Sequence, residues 1–265
     1  PVSQAGGVWY VNGDDLYGMS DEESTITIPV KSDYDYTVDM PAWITGEKVK
    51  EGYNFTLTEN TTGNARKGTV IFKSQKGTKE ITFVQFGVND IAGTYEATYS
   101  TFGEGDDWVS ETVKIELLQD EENEAVFYAD GLSSIRGVVL PLKFDGETYQ
   151  LSALNGQYLG FIESQKWYLY TIVRSEAGYV HADTSLSYPA IAELDVDDEE
   201  LMPFFPFKDK KGFSFTGETG TIKSFIDAIG VYVFASKSPT FGNNNNLGYY
   251  DIFKGLSIKK IKADH

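Results

Sequence analysis

The sequence predicts an all-β protein built as two domains, a small N-terminal β-sandwich and a larger antiparallel β-barrel or β-sandwich, with at most one short helix. Three observations carry this. Apolar residues alternate with polar ones at period two through both halves. The apolar set is rich in Ile, Val, Phe and Tyr, the residues that suit a pleated surface. Glycine-bearing turn dipeptides separate the runs at short intervals.

In chain order, Thr25–Val30 alternates Ile26, Ile28 and Val30 against threonine, and Tyr53–Thr58 sets Phe55 and Leu57 against Asn54, Thr56 and Thr58. Thr69–Lys73 and Glu80–Gln85 repeat the pattern, punctuated by Gly63, Gly68, Gly77 and Gly87. Phe86–Ile91 reads as a connector, which places one domain over residues 1–88 and a second over 91–265. The charge balance shifts there: residues 1–90 carry 13 acids and 8 bases, residues 91–265 carry 27 and 14. In the second half Tyr95, Ala97 and Tyr99 share one strand face, and Val109, Val113, Ile115 and Leu117 share the next. Asp145-Gly146 and Asn155-Gly156 read as tight hairpin turns, because such dipeptides accept positive φ angles. Ile222, Phe225, Ile226 and Ile229 stand at helical spacing before Gly230, which predicts one short helix there. Val231–Ala235 then returns to strand.

Composition excludes several chemistries. Among 265 residues there is no cysteine, so disulfides, thiol nucleophiles and zinc-thiolate sites are impossible. Histidines number two, His181 and the terminal His265, which leaves little for a histidine metal centre or a Ser–His–Asp triad. No apolar run approaches the roughly 18 residues of a membrane-spanning helix. A net charge of −18 makes nucleic acid a poor partner. The chain opens on Pro1 with its first methionine at Met19, so a leader, with or without a lipid-anchor cysteine, is expected upstream.

Three segments of the first domain carry a family likeness. Thr25–Ile44 (TITIPVKSDYDYTVDMPAWI) gives a strand, a polar turn, a second strand and a Trp-Ile ending. Asn60–Phe72 (NTTGNARKGTVIF) and Gly77–Gly87 (GTKEITFVQFG) follow in order and spacing. Over residues 8–87 the chain resembles the BACON family, small immunoglobulin-like β-sandwiches of Bacteroidetes proteins, departing from it with Tyr36 where the family often has tryptophan. The resemblance implies an exported protein of a bacterial cell surface or outer membrane, lipid-anchored or periplasmic, beside glycan-handling modules. Residues 93–132 look like the opening of β-domains in Bacteroidetes surface lipoproteins, some of them lipocalin-like barrels.

Candidate ligand contacts follow from aromatic and amide chemistry. Trp43 has two readings, a core anchor or a sugar platform. Trp108 follows a polar turn containing Asp106 and Asp107 and shares parity with Ser110, Thr112, Lys114 and Glu116. A plain strand therefore turns it away from the apolar face, where an indole packs on sugar C–H groups and carboxylates accept from hydroxyls. A bulge would turn it inward instead. Trp167 and Tyr170 lie in an aromatic run, either a strand buried on two faces or a barrel lining. Asn245 and Tyr249 belong to an amide-rich loop beside two tyrosines, suited to sugar hydroxyls or simply solvated. The acidic run Asp195, Asp197–Glu200 lacks a calcium-loop pattern and reads as a solvated loop. His181 reads as a strand histidine.

No cofactor, metal or catalytic residue is expected. The function expected is a non-catalytic exported binding protein, most simply for a glycan. The alternatives are a lipocalin-like carrier of a small apolar ligand and an adhesin-type interaction module.

Overall fold

The computed structural model describes residues 7–194, 201–217, 220–242 and 244–261; the side chain of Asp106 and the acidic run 195–200 lie outside the described residues. The protein is all-β. Among the described residues the helical pieces are two 3-10 turns, Val88–Asp90 and Glu104–Asp106. The described residues divide into two compact units, 7–90 and 91–261, with Leu201 grouped with the first.

The first unit contains β1 (Trp9–Val11), β2 (Leu16–Met19), β3 (Ser24–Ser32), β4 (Tyr36–Asp39), β5 (Ile44–Val49), β6 (Gly52–Leu57), β7 (Arg66–Ser74) and β8 (Gly77–Gln85). They form two four-stranded sheets, ordered β1-β3-β6-β5 and β2-β8-β7-β4. All pairs are antiparallel except β2 with β8. The sheets pack face to face because the alternating apolar sets meet: Ile28, Phe55 and Leu57 from one sheet against Val70, Phe72, Ile81 and Phe83 from the other. Phe55 lies 5.8 Å from Phe72 and 5.6 Å from Phe83, ring centre to ring centre.

The second unit contains β9 (Gly93–Phe102), β10 (Trp108–Gln119), β11 (Val126–Asp130), β12 (Leu140–Asp145), β13 (Gln150–Leu154), β14 (Tyr158–Ile162), β15 (Trp167–Ser175), β16 (Val180–His181) and β17 (Ser187–Ile191). It continues through β18 (Glu193–Leu194), β19 (Pro203–Pro206), β20 (Phe213–Gly217), β21 (Gly220–Ser224), β22 (Ile226–Phe234) and β23 (Asn246–Lys260). Its main sheet runs β14-β15-β22-β23-β9-β10-β11-β12-β13-β17. β13 and β14 are thus eight strand positions apart, about 38 Å in a flat sheet. Yet only Asn155–Gln157 join them, a reach of about 14 Å. The sheet must curl, and it forms a half-barrel. The curl closes on side chains such as Ile115, Leu142, Phe207 and Ile258, leaving a void of about 10 Å³ among them.

Three local expectations need correction. Residues 222–229 are not helical: Ile222 lies in β21 and Ile226–Phe234 is β22, most of whose residues are buried. A strand covered on both faces is apolar at nearly every position, so helical spacing occurs in it by coincidence. Asn155-Gly156 does not join paired strands; it is the junction across the curl. Asp145-Gly146 does open a hairpin, with Asp145 opposite Gln150, but through a four-residue loop. The Asp145 carboxylate accepts from the Glu147 and Thr148 amides, and Tyr149, not Gly146, takes the positive φ of 53°.

Candidate functional site

The outward face of the curled sheet carries an aromatic ladder that crosses six adjacent strands. Trp108 on β10 stacks on its cross-strand partner Phe102 on β9 at 4.5 Å. Phe102 meets Tyr249 of β23 at 5.9 Å, and Tyr249 meets Tyr232 of β22 at 5.2 Å. Phe234, Tyr170 of β15 and Tyr158 of β14 complete the series at 5.2, 5.7 and 5.4 Å. Period two explains it: register pairs Tyr170 with Tyr232 and Tyr158 with Tyr170. Tyr170, Tyr232 and Phe234 are buried and Tyr249 is half-buried, while Phe102 is 41% exposed and Tyr158 49%. This ladder is the second apolar layer that covers β15 and β22 on their outer face.

Beside the Trp108 end lies a cleft of about 530 Å³. Its floor is a double row of hydroxyls, Thr98 opposite Thr112 and Ser100 opposite Ser110. Lys254 forms its side wall. The pairing of β10 with β9 is unbroken from Trp108 to Leu117, so Trp108 lies on the face opposite Ile115 and Leu117. The inward-turning bulge is absent from this stretch, and the parity reading holds.

Charge is concentrated at Trp108. The Lys254 ammonium lies 4.6 Å and the Arg174 guanidinium 5.2 Å from its ring centre. Phe102 fills one indole face at 4.5 Å, so the cations occupy the other. Arg174 donates to both Asp227 oxygens, at 3.0 and 2.7 Å, and Lys254 stands 3.7 Å from the same carboxylate. Arg174 and Asp227 are largely buried, whereas the Lys254 side chain is 37% exposed. Burial pushes the Tyr249 phenol well above its ordinary value of 10, and its buried oxygen lacks a hydrogen-bond partner among the described residues. Tyr99, which also lines the cleft, is raised by burial and by the nearby Glu111 and Asp251.

A β-bulge shapes this region. Along β23, Lys254 pairs with Ser100 but Ser257 pairs with Thr98, which leaves one extra residue on β23. Gly255, at φ 60°, supplies the left-handed turn that the bulge needs. The interrupted ladder opens the cleft where Lys254 projects.

The other sequence candidates separate. Tyr170 is buried and its hydroxyl donates to the Lys237 carbonyl, so it is a packing residue rather than a ligand contact. Trp167, of opposite parity, lies on the other face and meets Tyr250 at 6.3 Å. Asn245 is consumed within its own loop: it donates to the Ser238 and Thr240 carbonyls and accepts from Ser236. That loop seats Phe241 on Tyr232 and Phe234. Asp107 is exposed at the turn, outside the cleft lining. Arg174, Asp227, Lys254 and Phe102 were missed. Phe102 was readable, since it and Trp108 flank a five-residue turn symmetrically. A lone base ending an apolar run, as in Ile172-Val173-Arg174 and Ile252-Phe253-Lys254, was the remaining signal.

In the first unit Trp43 packs against the core and the Arg66 guanidinium covers it at 4.4 Å. Among the described residues no group of three or more metal-ligating side chains converges. No protein-family model matches the chain, and no curated protein matches it. A crystal structure of a protein of unknown function from Bacteroides ovatus is similar at 8% identity, covering 90% of this chain and 97% of that one, with a TM-score of 0.28. A likeness that weak carries no argument about function.

Proposed function

We propose that the protein is a non-catalytic, exported binding protein that holds a glycan in the hydroxyl-floored cleft of its second unit. The observation that carries this is the double row Thr98/Thr112 and Ser100/Ser110, bounded by Trp108 and Lys254 in a cleft of about 530 Å³. Hydroxyls both donate and accept, as sugar hydroxyls do, and the indole edge and lysine stem offer C–H surface beside them. The volume lies within the range of small-ligand sites, roughly 300–1,000 Å³. The likeness of the first unit to surface modules of Bacteroidetes supports export. A carrier role for an apolar ligand draws no support from the half-barrel interior, whose void of about 10 Å³ holds no ligand.

Affinity electrophoresis and calorimetry against a panel of neutral and acidic glycans test this. Wild type should be retarded by at least one glycan, and the double variant Ser100→Val/Thr112→Val should lose at least tenfold in affinity. A wild type that no glycan retards sinks the proposal.

A further inference from the structure

A second cleft of about 570 Å³ adjoins the first, and the two share Lys254 and Gly255 as lining. Its chemistry is different. Pro206, Phe207, Phe225, Ile226 and Leu256 give it more apolar lining than the first cleft has, beside the charged Glu176, Lys208, Asp209 and Asp227. Phe225 is 40% exposed there, a large ring kept at the surface in the short link between β21 and β22. Ser257 also lines this cleft, and its buried hydroxyl has no hydrogen-bond partner among the described residues. The shared lining falls at the bulge of β23, where its register against β9 shifts between Lys254 and Ser257.

We propose that the ligand is amphipathic, a sugar bearing an uncharged apolar substituent such as an aryl or acyl group, with the sugar over the serine–threonine rows and the substituent against Phe225. This rests on the glycan reading of the first cleft and narrows it. Two adjoining clefts, the second more apolar than the first and joined to it at one residue pair, match a molecule whose polarity changes at one bond. Lys254 stands at that junction, its stem apolar and its ammonium held over Trp108. The lining of the second cleft also carries Glu176, Asp209 and Asp227 with Lys208 and Lys254, charges of both signs that favour no ionic substituent.

The test compares p-nitrophenyl and methyl glycosides of glucose, galactose, mannose and N-acetylglucosamine by calorimetry on the full chain. For at least one sugar the p-nitrophenyl glycoside should bind at least tenfold tighter than the methyl glycoside. Phe225→Ser should abolish that preference while leaving methyl-glycoside affinity unchanged, and Phe225→Trp should retain it. Ser100→Val/Thr112→Val should weaken both glycosides alike. Equal affinity of the two glycosides, or a preference that survives Phe225→Ser, overturns the inference and leaves the glycan reading standing. Aryl binding that ignores the sugar and the Ser100/Thr112 variant overturns both, as does the absence of binding by every glycoside.

Discussion

Gln85 is fully buried and holds the first unit's sheets to their connecting loops. Its amide donates to the carbonyls of Ser20 and Thr58 at 3.2 and 3.1 Å, and its oxygen accepts from Arg66 Nε at 2.9 Å. Arg66 in turn donates to the Thr58 and Glu59 carbonyls and lies over Trp43. Gly68 is required beneath that ring, since a Cβ there would stand 2.7 Å from Trp43. Gln85→Leu keeps the volume but strands several buried polar groups, and should cost about 3 kcal/mol, read as a lower urea midpoint at unchanged slope. His181 gives a pH test. It packs against Phe213 and Phe215, 5.1 and 5.0 Å away, and burial holds it below its ordinary 6.5, with Asp183 opposing more weakly. The unfolded chain therefore binds the proton more readily than the folded one. Stability from this residue is complete above pH 6.5 and declines as pH falls below it. His181→Leu should flatten that part of the stability curve between pH 7 and 5, and an unchanged slope would refute the assignment. At this scale local spacing narrowed the choice without making it: Trp43 had two readings and the structure packs it on the core, and Trp108 had two orientations of which the unbroken β9–β10 register selects the outward one. The sequence hid Arg174, Asp227 and Lys254, because three residues scattered over eighty positions meet only once strand register is set.

Strands were legible where one face is polar, as in β3, β6 and β10, because alternation then marks both the element and its orientation. They were illegible where both faces are covered. In β22 every residue from Ala228 to Phe234 is buried, and period 3.6 could be drawn through them as well as period two. Turn dipeptides were readable as turns but not as connections, and Asn155-Gly156 shows why. Gly156 has φ 69°, and a Cβ there would lie 2.5 Å from the Ala182 carbonyl oxygen. Asn155 donates to the carbonyls of His181 and Asp183, both at 2.9 Å, which pins the crossing between β13 and β14. Gly146 meets nothing nearer than 3.9 Å. The two glycines should therefore respond oppositely in thermal melts. Gly156→Ala should lose about 2–4 kcal/mol through strain and a backbone clash. Gly146→Ala should stay within about 0.5 kcal/mol. Equal sensitivity would mean that the junction is not held as described.

Each unit builds its core from its own strands, and that has a consequence for how the whole chain unfolds. The first unit's cluster, centred on Phe55, Phe72 and Phe83, draws its buried members from residues 11–83. The half-barrel packs its interior with residues such as Ile115, Leu142 and Ile258, and its outer face with the aromatic ladder. Phe72 is fully buried and touches rings from both sheets of the sandwich, Tyr36 and Phe55 among them. Phe72→Ala should remove about 3–5 kcal/mol from the first unit by deleting apolar contact and leaving a cavity. A sandwich of this size has little stability to spare, because small domains bury a small share of their surface. Denaturant unfolding of the full chain, followed by tryptophan fluorescence, should then show one transition moving to lower denaturant while a second keeps its midpoint. Glycan affinity at the Thr98–Ser110 cleft should be unchanged while that second transition is intact. If both transitions shift together, the two cores are energetically one, and the binding cleft cannot be assigned to an autonomous half-barrel.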